Sequence, residues 1–149
     1  MEEKKSESFP VNLKILSMKL VNFSIENLNE DTKKSLDKDR IVFEYGIDLS
    51  VDQIGKKVTS TNHINIFNDF EKSILLGNIS VAGEFSVINL DEIIKNFNNK
   101  IPLTFLSLFP NIVLSTARGI LLAKTEGTFL EGVLIPIVDS SKLIAGQNP

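Results

Sequence analysis

Residues 41–51 read IVFEYGIDLSV and decide the fold class of this 149-residue chain. The odd-numbered positions, from Ile41 to Val51, are all apolar or aromatic, whereas the positions between them are mostly polar or small. Alternate side chains of a strand point to opposite faces of its sheet. This segment therefore predicts a strand with one buried face and one solvated face.

Three further segments predict strands around it. Residues 11–25 are apolar at both parities, which indicates either a strand covered on both faces or a bulge near residues 17–19. Residues 58–67 are rich in β-branched side chains, and residues 74–90 place an apolar row on one face. Gly83 has the parity of that row and indicates a bulge or a close backbone approach. With residues 27–40 expected as a polar loop, four strands in chain order predict an antiparallel meander.

Helical patterns follow the strands, which predicts an α+β fold. Asp91 is expected to cap a short helix that ends at Phe97. After an apolar connection at residues 101–109, Pro110 is expected to open a long helix through residue 124. Residues 130–138 predict an extended segment, and residues 140–145 a last short helix. The long helix is apolar on most of its circumference, so we expect a partner subunit to bury the side that the sheet leaves uncovered.

Composition narrows the class of function. The chain has a net charge of −3 and no cysteine, which disfavours nucleic-acid binding, disulfides and thiol chemistry. Residues 1–8 read MEEKKSES without an apolar stretch behind them, so we expect a cytoplasmic protein. Residues 1–9 are expected to form a flexible arm, and residues 10–149 a single domain.

No motif for catalysis, for a metal or for a cofactor is apparent, and we expect no enzyme. His63 is the single histidine, and no sequence spacing supplies it with oriented partners. The apolar run at residues 101–123 is interrupted by two prolines, Asn111, Arg118 and Gly119, so we expect it to be buried in protein rather than in a membrane. The apolar part of this run before the long helix is either a lid on the core or an exposed surface for a flexible ligand.

The order of segments resembles the SecB family of export chaperones over about residues 11–143. Residues 110–118 (PNIVLSTAR) are similar to the SecB segment in which a proline opens the long helix and an arginine follows two turns later. Residues 127–129 with Leu134 and Pro136 resemble the segment after that helix. Gly83 with residues 85–87 resembles the fourth strand of the family, and residues 19–23 resemble the first.

The resemblance implies a four-stranded antiparallel sheet with a long C-terminal helix and a short helix on one face. It also implies a homotetramer, built as a dimer of dimers, that holds unfolded polypeptide clients before export, without ATP. The implied peptide-binding residues are Phe43, Tyr45, Leu75, Leu76, Phe105, Leu106, Phe109 and Leu143. The implied oligomer interface contains Gly77, Ile79, Val81, Ile112, Ala117, Ile120 and Leu121. For Phe43 and Tyr45, a place in the ordinary core is the alternative.

One departure from the family concerns the SecA motor. SecB docks the basic tail of SecA with acidic residues. The matching positions in this chain are Leu20, Ser24 and Asn78, and none of them is acidic. Without these counter-charges electrostatic docking is weakened. The alternative is a SecB-fold module dedicated to one partner, such as an antitoxin, or a scaffold without SecA coupling.

Overall fold

The computed structural model describes residues 10–145, so the arm expected at residues 1–9 and the tail expected at residues 146–149 lie outside the described range. Residues 10–145 form four strands and five α-helices. Their order is β1 (Leu13–Ile25), α1 (Glu30–Lys34), β2 (Val42–Asp52), β3 (Lys57–Phe67), β4 (Leu75–Val87), α2 (Leu90–Asn96), α3 (Leu103–Leu106), α4 (Leu108–Lys124) and α5 (Ser140–Ala145), with a short 3-10 helix at Lys38–Arg40 before β2.

The sheet is antiparallel and four-stranded, as predicted, and with its helices it makes the fold α+β. Its strand order is β1-β4-β3-β2, however, so the expected meander holds only for β2, β3 and β4. Short links at residues 53–56 and 68–74 join those three strands, whereas residues 26–41 separate β1 from β2. Three strand spacings are about 14 Å, which a link of this length crosses readily. β1 therefore pairs with β4 at the opposite edge from β2.

Two bulges explain why β1 is apolar at both parities. The register with β4 shifts between Ile15 and Ser17 and again between Leu20 and Asn22, on either side of the predicted position. A bulge adds one residue and reverses the facing of those that follow. Leu16 and Val21 are consequently exposed at 42% and 53%, while neighbouring apolar residues of β1 pack against the core. Within one protomer, β1 is therefore covered on one face only.

Two predicted boundaries need correction. Residues 27–40 contain α1, capped by Asn29, whose side chain accepts a hydrogen bond of 2.8 Å from the backbone N–H of Thr32. α2 begins at Leu90, so Asp91 lies in its first turn and is not its cap. The residue before this helix, Asn89, instead accepts from the Asn12 backbone N–H and donates to the Pro10 carbonyl. These bonds tie the chain before β1 to the start of α2.

The region around the long helix also departs from expectation. Residues 101–109 contain α3, and α4 begins at Leu108, so Pro110 lies in its first turn rather than at its start. The Pro110 carbonyl accepts a 3.0 Å hydrogen bond from the buried Asn62 amide, whose oxygen accepts from Ser60. Of the extended segment expected at residues 130–138, residues 130–132 form a turn and residues 133–138 follow without helix or strand pairing, whereas α5 confirms the last short helix.

The core lies between α4 and the inner faces of β3 and β4. The apolar row predicted for β4 is confirmed, since all four of its members are fully buried: Ile79, Val81, Phe85 and Val87. Phe109 packs edge-to-face between the rings of Phe85 and Phe105, with centroid distances of 5.1 and 5.2 Å. Gly83 lets α4 approach, because a Cβ there would lie 2.8 Å from a methyl of Val113.

α3 and α4 together span Leu103–Lys124, which is long and apolar enough by length and composition to cross a membrane. The helix of a soluble core passes the same test. One side of α4 packs on the sheet and buries Val113, Ala117 and Leu121. The absence of membrane insertion stays a prediction.

We predict that Gly83→Ala lowers the free energy of unfolding by about 1–3 kcal/mol, because the new methyl overpacks the contact with Val113. Gly119 in α4 is the matched control, since nothing lies within 4 Å of a Cβ built there. Gly119→Ala should stabilise the protein by up to about 1 kcal/mol through helix propensity. Urea unfolding measures both, and equal effects of the two substitutions would contradict the close approach at Gly83.

Candidate functional site

An apolar cleft of about 510 Å³ lies along the outer edge of β2 and is called the edge cleft below. One wall is the first half of β2 with the residues before it, and the other is residues 132–138, called the strap. The lining residues are Lys38, Asp39, Ile41, Val42, Phe43, Tyr45, Gly132, Val133, Leu134, Pro136 and Val138.

Geometry explains why an opening forms here. Four strands span about 14 Å between the outer strand axes, whereas one helix with its side chains is about 10 Å wide. α4 contacts β3 and β4, the two central strands. The inward-facing Phe43 and Tyr45 of β2 therefore lie beyond the helix and are only half-buried.

Alternating contacts hold the strap beside β2. Val133 and Ile135 are buried at 6% and 1%, whereas Leu134 between them is 56% exposed. This alternation over residues 133–135 is the pattern of an extended chain, and it ends at Ile137, which is 93% exposed. The strap forms no ladder with β2, so the outer backbone edge of β2 has no strand partner among residues 10–145.

Arg118 of α4 anchors the strap from behind. Its Nε donates to the Ile135 carbonyl at 2.6 Å, and one of its terminal nitrogens donates to the Pro136 carbonyl at 2.9 Å. Lys38 donates to the carbonyl of Glu131, just before the strap, at 2.6 Å. Two cations thus hold the strap by its backbone carbonyls.

Tyr45 carries an unpaired polar group into this apolar setting. Its hydroxyl is shielded from water and has no hydrogen-bond partner among the described residues. Burial raises the pKa of Tyr45 above its ordinary value, although the nearby charge of Arg118 acts in the opposite direction. The hydroxyl therefore stays protonated at neutral pH and can donate a hydrogen bond.

A second apolar opening of about 230 Å³, the crossover cleft, lies where α2 and α3 meet the chain before β1. Phe105 lies at its floor and is 4% exposed, while Phe97 at its rim is 43% exposed. The crossover thus contains both a lid on the core and an exposed surface, the two alternatives left open by the sequence.

The predicted peptide-binding residues are distributed over several places. Phe43 and Tyr45 line the edge cleft, and Phe105 lines the crossover cleft. The structure places two others, Leu76 and Phe109, wholly in the core at 0% exposure, so their side chains are not at a surface. Three are half-buried and line neither cleft: Leu75, Leu106 and Leu143.

Sequence reasoning missed part of the edge cleft. Ile41, Val133 and Val138 line it but were not among the predicted site residues. The apolar composition of residues 130–138 was the available signal. It does not show that this segment lies beside β2, because that placement depends on contacts between residues far apart in the sequence.

Most residues predicted for the oligomer interface belong to the core of one protomer. Five of the seven are buried there: Gly77, Ile79, Val81, Ala117 and Leu121. These five residues are buried within one protomer, and their part in an oligomer interface stays a prediction. Ile112 is half-buried and Leu122 is 43% exposed, so α4 keeps an apolar strip on its far side, while the half-buried Ile120 lies nearer the sheet.

His63 has partners that sequence spacing did not reveal. On the outer face of the sheet its Nε2 lies 3.0 Å from an Asp48 carboxylate oxygen, and its Nδ1 lies 2.8 Å from the Ser80 hydroxyl. Acid, histidine and serine in this order match the hydrogen bonding of a nucleophilic triad. However, none of the three residues lines either cleft. The backbone N–H groups of β3 and β4 are hydrogen-bonded to neighbouring strands on both sides, so these two strands offer no backbone donor for an oxyanion.

No group of three or more metal-ligating side chains occurs within residues 10–145. The outer sheet face is lined with paired polar residues instead, such as Glu44 with Lys72 at 2.8 Å. We therefore take the edge cleft as the candidate functional site.

Comparison with known proteins gives a distant likeness. No protein-family model matches the chain, and no curated protein matches its sequence. One similar solved structure is the Rv1957 SecB-like chaperone of Mycobacterium tuberculosis in complex with a ChAD peptide from the HigA1 antitoxin, with 12% identity, a TM-score of 0.43, and 85% of this chain and 90% of that chain covered. Another is a protein of unknown function from Streptococcus agalactiae, with 12% identity, a TM-score of 0.43, and 87% and 100% coverage.

At 12% identity and a TM-score of 0.43, the likeness carries no argument about family or function. The four-stranded antiparallel sheet with a long and a short C-terminal helix, expected from the sequence, is present in the structure. What the cleft does must be argued from its own geometry.

We predict that Arg118→Met frees the strap while the core stays folded, because the substitution keeps an apolar stem and removes both donors. Limited proteolysis should cleave the chain within residues 132–138 faster, by roughly tenfold or more for the loss of charge-assisted bonds. Mass spectrometry of the fragments measures this, with Lys124→Met, at the exposed end of α4, as the control. Unchanged cleavage in the strap would show that Val133 and Ile135 hold it without Arg118.

Proposed function

We propose that this protein is an ATP-independent chaperone that binds non-native polypeptides in the edge cleft. The observation that carries the proposal is the coincidence of an apolar cleft with an unpaired strand edge at β2. Folded clients expose neither apolar runs nor free backbone, whereas unfolded segments expose both. The cleft therefore selects for the unfolded state.

Two kinds of contact support such binding. Apolar side chains of the client gain roughly 25 cal/mol for each Å² that they bury against Phe43, Leu134 and their neighbours. The edge of β2 offers backbone hydrogen bonds that do not depend on the client's sequence. Both contacts tolerate sequence variation, which suits a chaperone with many clients.

Avidity would strengthen individually weak contacts. The crossover cleft is a second apolar site in the same protomer, and a long unfolded chain could occupy both. Assembly into a homotetramer in the cytoplasm, as the SecB resemblance implies, would multiply the sites. We assign the apolar far side of α4, with Ile112 and Leu122, to that assembly.

A second candidate function is a module for one dedicated partner, such as an antitoxin, without coupling to SecA. The observation that favours it is the neutral sheet face where SecA docking is expected. The Asn78 amide donates to the Ser24 hydroxyl at 2.8 Å, so these positions form an uncharged pair. Protein export through SecA is accordingly the less supported form of the chaperone proposal.

We predict that Leu134→Asp weakens the binding of an unfolded client about tenfold. Leu134 lines the cleft and is half exposed, so the charge changes the binding surface while the fold is kept. Losing one apolar contact of about 1–2 kcal/mol corresponds to a tenfold change in Kd. Fluorescence anisotropy with a labelled, permanently unfolded protein measures the affinity, and light scattering measures suppression of aggregation.

Ile54→Asp is the matched control, because Ile54 is 98% exposed in the turn between β2 and β3 and lies outside both clefts. It should bind clients like the wild type. If the wild type ignores unfolded proteins but binds one defined partner stoichiometrically, the dedicated module is the correct function. If Ile54→Asp weakens binding and Leu134→Asp does not, the site lies elsewhere.

We predict that Leu122→Glu reduces the molar mass of the assembly, because it places a charge in the apolar strip of α4. Size-exclusion chromatography with light scattering at micromolar concentration measures this. Lys124→Glu, one half-turn further along α4, also adds negative charge and should leave the assembly intact. A wild-type protein that is monomeric under these conditions would contradict the assigned interface.

A further inference from the structure

The Tyr45 hydroxyl is the least satisfied group in the edge cleft. An unpaired buried hydroxyl is destabilising relative to a bonded one, so its retention in an apolar wall calls for a reason. Phenylalanine would fill the same space without that cost. The hydroxyl has no partner among residues 10–145 and is itself shielded from solvent, so a ligand in the cleft that Tyr45 lines bonds to it only when the strap shifts.

The strap packs beside β2 like a bound extended chain, but it forms only some of the contacts that such a chain would form. It places Val133 and Ile135 against the protein as an extended chain would, yet it donates nothing to β2 and leaves Tyr45 without an acceptor. Its own carbonyls of Ile135 and Pro136 are bonded to Arg118 on the other side. A second extended chain in the cleft would bring carbonyls of its own.

We propose that Tyr45 is a specificity-determining residue that donates a hydrogen bond to a backbone carbonyl of the bound peptide, so that the cleft selects extended segments. This inference rests on the proposed function and adds the class of ligand. In a helical segment the carbonyls are bonded internally, and only an extended or unfolded segment offers a free one. Tyr45 thus lets the cleft discriminate between clients by their backbone conformation rather than by their side chains.

A backbone carbonyl suits the site better than a carboxylate. The cleft already contains the Asp39 carboxylate, which repels a second anion. The two nearby cations, Lys38 and Arg118, are engaged with carbonyls of the chain itself. Tyr45 lies on the edge strand, beside which an added strand would run.

The protein supplies its own reporter for the test, because Tyr45 is the only tyrosine and there is no tryptophan. Tyrosine fluorescence and phenolate absorbance therefore report on the cleft alone, given a peptide free of both residues. Donation to a carbonyl favours the protonated hydroxyl, so saturating peptide should raise the pKa of Tyr45 further. An unchanged phenolate titration on saturation would overturn the proposal.

Tyr45→Phe gives the second measurement. It should weaken binding of an uncharged, unstructured peptide by roughly three- to tenfold, the value of one neutral hydrogen bond. The free variant should be at least as resistant to urea as the wild type, because it loses an unpaired polar group. Wild-type peptide affinity in this variant would overturn the inference and leave the chaperone proposal standing.

A thioamide scan of the same peptide locates the acceptor. Replacing one carbonyl oxygen at a time by sulfur, a poorer acceptor, should weaken binding to the wild type at one position. The same replacement should have no effect on binding to Tyr45→Phe, as a double-mutant cycle requires. If the loss follows an added glutamate side chain instead of any thioamide, the ligand group is a carboxylate and the proposal is wrong. No peptide binding by the wild type would overturn the proposed function together with this inference.

Discussion

The close packing of α4 against β3 and β4 is the constraint on which the rest of the structure depends. It requires a glycine at position 83, since any larger residue would meet Val113, and it places Phe109 between two aromatic rings. The buried Asn62 amide ties the first turn of α4 to β3 through the Pro110 carbonyl. Because these contacts are all central, the helix lies over the middle of the sheet.

That central placement creates the candidate site. One helix cannot cover four strands, so β2 is left to a strap of irregular chain that needs anchoring. Arg118 supplies the anchor from the same helix that leaves the edge open. The result is an apolar cleft with one wall of regular strand and one wall of irregular chain. The crossover cleft arises in the same way where α2 and α3 meet the chain before β1.

The sequence was most informative where periodicity and burial agree. The strand at residues 41–51 and the buried row of β4 were predictable because alternation records which face is covered. A bulge in β1 was one of two alternatives that the sequence left open, and the start of α4 before Pro110 was not predicted, since bulges and helix starts depend on neighbouring strands and on packing. Gly77, Ile79 and Val81, which the resemblance implies for an oligomer interface, are buried within one protomer, and the interface itself stays a prediction.

The sequence by itself determined the α+β class, the four strands and the apolar long helix, because these follow from local periodicity of side chains. Only the tertiary structure decided that β1 pairs with β4, that the strap lies beside β2, and that Asp48 and Ser80 flank His63. Each of these joins segments distant along the chain. Such contacts are selected by the packing of the whole core and the reach of the links, which no local pattern encodes.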